Sequence, residues 1–274
     1  MRQHFQLLSL LLMLIAAPGA QALFSPKSEA WELWRPAVDT MTIQVDHSAW
    51  GELLARYLDD QHPSGVSRFD YAAVTAADNA RLSAYIDTLA AIAVPQLTTA
   101  QQQAYWINLY NALTVQLIVE NPGVDSIRDI RDGLFSLGPW GREVITVGGV
   151  ALSLNDIEHR ILRPLYRDPR VHFAVNCASI GCPNLQAEPF TADNLDHLMN
   201  RATGEYLAHP RGLSINGDTL QLSTIFKWFA DDFGDDREAV LKWLAAYAHE
   251  ESRAALAQWQ GRVTYEYNWA LNRP

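Results

Sequence analysis

The stretch that decides the fold runs from Thr98 to Gly123: TTAQQQAYWINLYNALTVQLIVENPG. The threonine pair Thr98-Thr99 is a helix start, Tyr105 and Trp106 continue the pattern, and Asn121-Pro122-Gly123 stops it, so the spacing predicts a helix ending at Val119. Two helices are expected before it. One runs from His47 to Leu58, with Asp46 as N-cap and Trp50, Leu53, Leu54 and Tyr57 at helical spacing. The other covers Asn79 to Ile92, with Leu82, Tyr85, Ile86 and Leu89 as its apolar stripe. The three together should form one side of the core.

Downstream the pattern changes. Val144 to Val147 and Val150 to Leu152 flank Gly148-Gly149 and read as a hairpin. A helix is expected from Leu154 to about Arg163, ahead of Pro164, and a short strand from Val171 to Val175. Leu213 to Ile215 and Thr219 to Leu222, around Asn216-Gly217-Asp218, give a second hairpin. Helices over Thr224 to Phe233 and Arg237 to Tyr247 precede a closing segment, Arg262 to Tyr267. The expected class is α+β: a helix-rich single domain over residues 46–274 with a small, mainly antiparallel sheet. No internal repeat, heptad or low-complexity tract is visible.

The start of the chain has a different composition. Arg2, the apolar run Leu7 to Ala17 and the small-x-small pattern Ala20-Gln21-Ala22 read as a secretory signal peptide over residues 1–22, with a linker over 23–45. The expected address is therefore periplasmic or secreted. The apolar run is shorter than the roughly 20 residues of a membrane span, and no later stretch reaches that length, so no integral membrane segment is expected after cleavage. Hydrophobic residues make up 49% of the chain and tryptophans number nine, enough for a sizeable core. A net charge of −10 argues against a nucleic-acid partner.

Several residues do not fit a bland core. Asn108 and Asn111 share an apolar face of the Thr98 helix with Ala112, Val115 and Ile118. A buried amide without partners costs about 1–3 kcal/mol, so each either ties backbone or lines a site. In the next helix Leu154, Ile157, Ile161 and Leu162 form a stripe, and Glu158 falls within about 40° of its centre, with His159 beyond its edge. Asn155 could form a capping box with Glu158, but Ser153 with Asp156 offers a competing one that would leave Glu158 free. In the expected strand, alternation sets His172, Ala174 and Asn176 on one face and Phe173, Val175 and Cys177 on the other. Cys177 then opens a loop containing Ser179, Gly181, Cys182 and Pro183. A thiol there is a nucleophile if a histidine lowers its pKa. Cys177 and Cys182 are also the only cysteines, and in an oxidising compartment they could form a disulfide. Glu158, His159, His172 and the two cysteines match neither a CxxC nor an HExxH metal motif, so no metal or other cofactor is expected.

The segments Ala104 to Leu113, Leu152 to Arg163, Val171 to Pro183 and Leu222 to Phe233 resemble, in order, the signature blocks of the family called domain of unknown function 547. The likeness spans about residue 46 to the C-terminus, and Asn108, Asn111, Glu158, His159, His172 and Cys177 lie inside its blocks. It departs near the end, where the family pattern has an aspartate before a tryptophan and this chain has Asn268 before Trp269. The family name implies no activity, and its plant members, which join the domain to leucine-zipper regions, imply an interaction role. Two expectations follow. One is a thiol-dependent hydrolase or acyltransferase of the bacterial envelope acting on a peptide or amide, its arrangement similar to papain- or transglutaminase-like enzymes. In it Cys177 is nucleophile, His159 or His172 base, Glu158 or Asn108 the orienting group, with Asn108, Asn111 and Ser179 on the substrate. The other is a non-catalytic binding domain for an envelope peptide or protein. There Cys177 and Cys182 form a structural or redox disulfide, and any exposed ring among Trp140, Trp228 and Trp243 contacts the partner.

Overall fold

The computed structural model describes residues 26–36, 43–131, 133, 138–234 and 236–274. The expected signal peptide lies outside them. At the centre is α3 (Thr99–Val119), opened by a capping box between Thr98 and Gln101. Nearly every side chain from Gln102 to Ile118 is buried, which marks a helix enclosed on all sides rather than one lying on a surface. Around it pack α1 (Ser48–Tyr57) and α2 (Ala76–Ala90). The N-cap of α1 is His47 and not the expected Asp46, although the Asp46 carboxylate accepts from Ser48 N at 2.8 Å. The α2 helix starts three residues before the expected Asn79, because the Thr75 hydroxyl accepts from Asp78 N. Trp34 belongs to the same cluster, 2% exposed and edge-on to Trp106, so the segment read as a linker supplies a core residue.

The strands form three small sheets: β1 (Leu58–Asp59) with β2 (Arg68–Phe69), the hairpin β3 (Glu143–Val147) with β4 (Val150–Ser153), and β5 (Leu213–Asn216), β6 (Thr219–Ser223) and β7 (Arg262–Glu266). Among the described residues only the β6–β7 pair is parallel, so the α+β expectation with mainly antiparallel pairing holds. Among the described residues no helix is long and apolar enough to cross a membrane.

Three expectations need correction. Val171 to Val175 is not a strand: α6 (Val171–Ala174) is a helical turn, begun by Val171 N donating to Asp168 O and His172 N to Pro169 O. A short apolar run does not discriminate strand from buried helix, and here Pro169 supplies a helix-compatible φ just ahead of it. Pro164 does not end the preceding helix, which runs from α4 (Leu154–Asp156) through a π-helical stretch (Ile157–Leu162) into α5 (Arg163–Tyr166). The Thr224 to Phe233 helix is broken at Phe229 into α8 (Ile225–Trp228) and α9 (Ala230–Phe233). Two helices were not anticipated, α7 (Leu195–Ala208) and α11 (Glu250–Ala257), the latter after α10 (Arg237–Tyr247). Yet α7 buries Leu195, Leu198, Met199, Ala202, Tyr206 and Leu207 at helical spacing, a pattern diluted in sequence by Asp196, His197, Arg201 and Gly204.

Two hydrophobic clusters result. One surrounds α3; the other gathers Phe173, Tyr206, Leu220, Phe226 and Leu244. Helix α6 joins them, giving Val171 and Ala174 to the first and Phe173 to the second. His172 stands at the seam.

Candidate functional site

The π-helical stretch follows from Pro164, which has no N–H to continue an α-helical ladder. Arg163 N donates to Glu158 O, five residues back, so the turn is widened by a residue. The His159 and Arg160 carbonyls accept instead from the N-terminal arm, from Glu29 N at 3.1 Å and Trp31 N at 2.9 Å. Widening turns both Glu158 and His159 inward; they are 8% and 5% exposed. At regular helical spacing His159 falls off the stripe, which is why the sequence misplaces it. Ser153 and Asp156 form the capping box, leaving Glu158 free of that duty.

The cysteine loop is held by amides. Asn111 Nδ2 donates to Ala174 O at 2.9 Å and its Oδ1 accepts from Asn176 N at 2.8 Å, so the side chain pairs with backbone as a strand would. Asn176 in turn donates to Pro183 O and accepts from Ala178 N. Ala178 is thereby fixed at φ 59°, a left-handed conformation that costs a non-glycine residue energy and persists only where surroundings impose it. Gly181 lies so close to the closing segment that a Cβ there would sit 2.7 Å from Asn268 N. Asn108 makes a matching two-point contact with Phe190 N and O. Both amides, expected as site residues, are committed to backbone outside the cavity lining. Asn111→Ala strands two buried backbone groups, and we expect it to lower unfolding free energy by about 2–3 kcal/mol in urea titrations.

The charged wall centres on a residue the sequence reading missed, Asp232 of α9. It accepts from His172 Nε2 at 2.7 Å and from Arg163 Nε at 2.5 Å. Arg163 also donates to Pro26 O and to His159 Nδ1. Since guanidinium only donates, His159 Nδ1 is unprotonated. Burial above all keeps His159 neutral, lowering its pKa to about 4. Glu158 approaches His172 Nδ1 at 3.6 Å and His159 Nδ1 at 3.9 Å. Burial raises the Glu158 carboxyl, but His159, His172 and Arg163 outweigh it and hold the pKa at about 2. Asp232 is likewise held at about 2, burial being overcome by His172 and Arg163. Phe229 supports the group: His172 stacks on it at 4.3 Å and the Arg163 guanidinium lies 4.6 Å from its ring centre. The carboxylate that orients an imidazole is thus Asp232, inside the Leu222 to Phe233 block. Asn268 instead accepts from Ala270 N within its own loop.

Glu158, His159, His172 and Phe229 open on a cavity of about 510 Å³ at the seam of the two clusters. Its lining includes Glu158, His159, His172, Cys177 and Cys182, with Tyr110, Trp140, Trp228, Tyr267 and Trp269 as an aromatic wall. All five expected catalytic and disulfide positions therefore converge. Ser179 is buried behind them, bonded to Cys177 Sγ at 3.2 Å and Tyr267 Oη at 3.0 Å. Both cysteines are free thiols, their sulfurs 2.7 Å apart, and Cys177 N donates to Cys182 Sγ at 2.9 Å. Cys177 Sγ also meets Tyr267 Oη at 3.0 Å; among the described residues no imidazole is a hydrogen-bond partner of it. Burial pushes the Cys177 thiol up. Burial acts on Cys182 too, but donation from the Cys177 thiol, Tyr267 and Cys177 N leaves it lowered, so Cys182 is the more acidic of the two sulfurs. Among the described residues no group of three or more His, Cys, Asp or Glu is arranged to hold a metal ion.

Residues 94–207, which carry Asn108, Asn111, Glu158, His159, His172 and both cysteines, match the family described as protein of unknown function, DUF547. This segment belongs to DUF547. Nothing among curated proteins or solved structures matches the chain. The DUF547 segment supplies the sulfurs and the Glu158 wall, while Asp232, Trp228, Tyr267 and Trp269 come from beyond it. Of these, Asp232 was legible only as one of two adjacent aspartates, and Tyr267 only as the end of a closing strand.

Proposed function

We propose that the cavity is the active site of a thiol-dependent hydrolase or acyltransferase of the cell envelope acting on a peptide or amide. The observation that carries this reading is the opening of both sulfurs, Glu158 and His172 on one aromatic-walled cavity. Cys177 is the more exposed of the two cysteines, and its sulfur is the attacking atom. Its proton passes to Cys182, the more acidic of the two sulfurs and the acceptor in its thiolate form, as the Cys177 sulfur bonds to the substrate carbonyl carbon and the carbonyl electrons move to oxygen. Collapse of that intermediate expels the amine, which takes the proton from Cys182; water then releases the acyl group. His172, held by Asp232 and facing Glu158, is the proton carrier for the water step. The leader pattern of residues 1–22 supports an envelope address.

In the reduced protein, iodoacetamide at neutral pH should label Cys177 first, as read by mass spectrometry of its peptides. Cys182→Ser removes the proton acceptor and should slow that labelling by about tenfold or more. A Cys177 that labels only after unfolding would sink the proposal. The 2.7 Å between sulfurs favours a second reading, a redox pair. It predicts that protein isolated without reductant carries a Cys177–Cys182 bridge and takes up no alkylating agent until reduced.

A further inference from the structure

Charges at the cavity are nearly all matched. Glu158 faces two imidazoles, and Asp232 holds Arg163 and His172. Arg128 differs. It lines the cavity, its guanidinium lies 5.2 Å from the Trp269 ring centre, and among the described residues it forms no ion pair. The acids beside it in sequence are committed elsewhere: Asp129 accepts from Ser126 N and Asp125 N, and Asp125 pairs with Arg273. A cation over an aromatic face, at the edge of an apolar cavity and without a counter-ion, keeps its guanidinium donors available for an anion. The route to the sulfurs is continuous. Trp269 packs against Tyr267 at 4.6 Å between ring centres, and the Tyr267 hydroxyl meets Cys177 Sγ at 3.0 Å.

We propose that Arg128 selects ligands bearing a carboxylate on an apolar body, the carboxylate on the guanidinium and the body along Trp269 and Tyr267 toward the sulfurs. The inference rests on the thiol reading for its chemistry, not for its binding. Guanidinium and carboxylate match in a two-point contact, and a low-dielectric aromatic wall strengthens it relative to water.

The test compares iodoacetate, which carries a carboxylate, with iodoacetamide, its neutral counterpart, as alkylating agents of the reduced full-length protein at low salt. The iodoacetate-to-iodoacetamide rate ratio at Cys177 should exceed that of the urea-unfolded chain by about fivefold or more. Arg128→Gln should return the ratio to the unfolded value, while Arg128→Lys, which keeps the charge, should retain much of it. Calorimetric titration with N-acetyl-phenylalanine and with its C-terminal amide needs no reaction at sulfur. The acid should bind about tenfold more tightly, and Arg128→Gln should erase the difference. Equal alkylation ratios in native and Arg128→Gln protein, or equal affinity for acid and amide, overturn the proposal. A sulfur inert to both reagents with the carboxylate preference intact overturns the thiol reading alone.

Discussion

Replacing Arg163 by alanine should cost about 3–5 kcal/mol of folding free energy, the magnitude expected when one partner of a buried ion pair is removed. Its side chain is 4% exposed and donates to three acceptors: the Asp232 carboxylate, Pro26 O and His159 Nδ1. Truncation strands Pro26 O and His159 Nδ1 and leaves Asp232 with His172 as its one strong partner among the described residues, in surroundings that penalise a poorly matched carboxylate. Arg163→Lys keeps the charge but presents one compact ammonium to groups arranged for a planar fork, so it should recover less than half of the loss. Urea unfolding followed by tryptophan fluorescence measures both. A loss below about 1 kcal/mol for Arg163→Ala would show that this network contributes little to holding the seam.

The second large effect is acid sensitivity well above the carboxylate range. His47 and His159 are both buried, and burial lowers each from 6.5 to about 4. The unfolded chain therefore binds protons that the folded chain refuses. Stability from each is fully present above pH 6.5 and drains away as pH falls toward 4, by about 3 kcal/mol per residue. Glu158 and Asp232 extend the decline. Their depressed values, about 2 against ordinary values of 4.5 and 3.8, give stability that is present above about pH 4.5 and lost on the way down to 2. All four groups act with the same sign, so unfolding free energy should fall continuously from pH 7 downward. His47 is the cleaner probe, because its one side-chain partner is Tyr85 Oη at 2.7 Å, away from the cavity. His47→Gln should flatten the curve between pH 6.5 and 4 by about 3 kcal/mol while leaving the lower limb in place. A curve unchanged by that substitution would mean that His47 gains its proton without unfolding.

Much of the fold is written in local chemistry. Thr98, Asn121-Pro122-Gly123 and the Gly148-Gly149 turn fix α3 and the first hairpin through caps and turn residues that act over a few positions. Glu158, His172 and Cys177 stood out because charge or reactivity in an apolar run requires a reason, and the cavity supplies one. What failed to show was what depends on distant partners. The helical turn at Val171 needs Asp168 and Pro169 to begin it, and the inward rotation of His159 needs a π-helical turn whose freed carbonyls find donors in the arm. The Cys177 proton partner was expected to be an imidazole. The loop geometry set by Asn111 and Asn176 gives it a sulfur instead.

The contact between Pro26 and Arg163 joins positions 137 residues apart, and with the arm's bonds to His159 and Arg160 it means the site is not portable. A fragment cut to residues 94–207 would carry both sulfurs and Glu158 but leave behind Pro26, Trp31, Asp232 and three rings of the cavity wall, Trp228, Tyr267 and Trp269. Grafting the motif onto another scaffold would transfer the reactive atoms without the Asp232 carboxylate that holds Arg163 and His172. For any lineage that joins this segment to other modules, the inherited unit must reach upstream to the arm and downstream to Trp269.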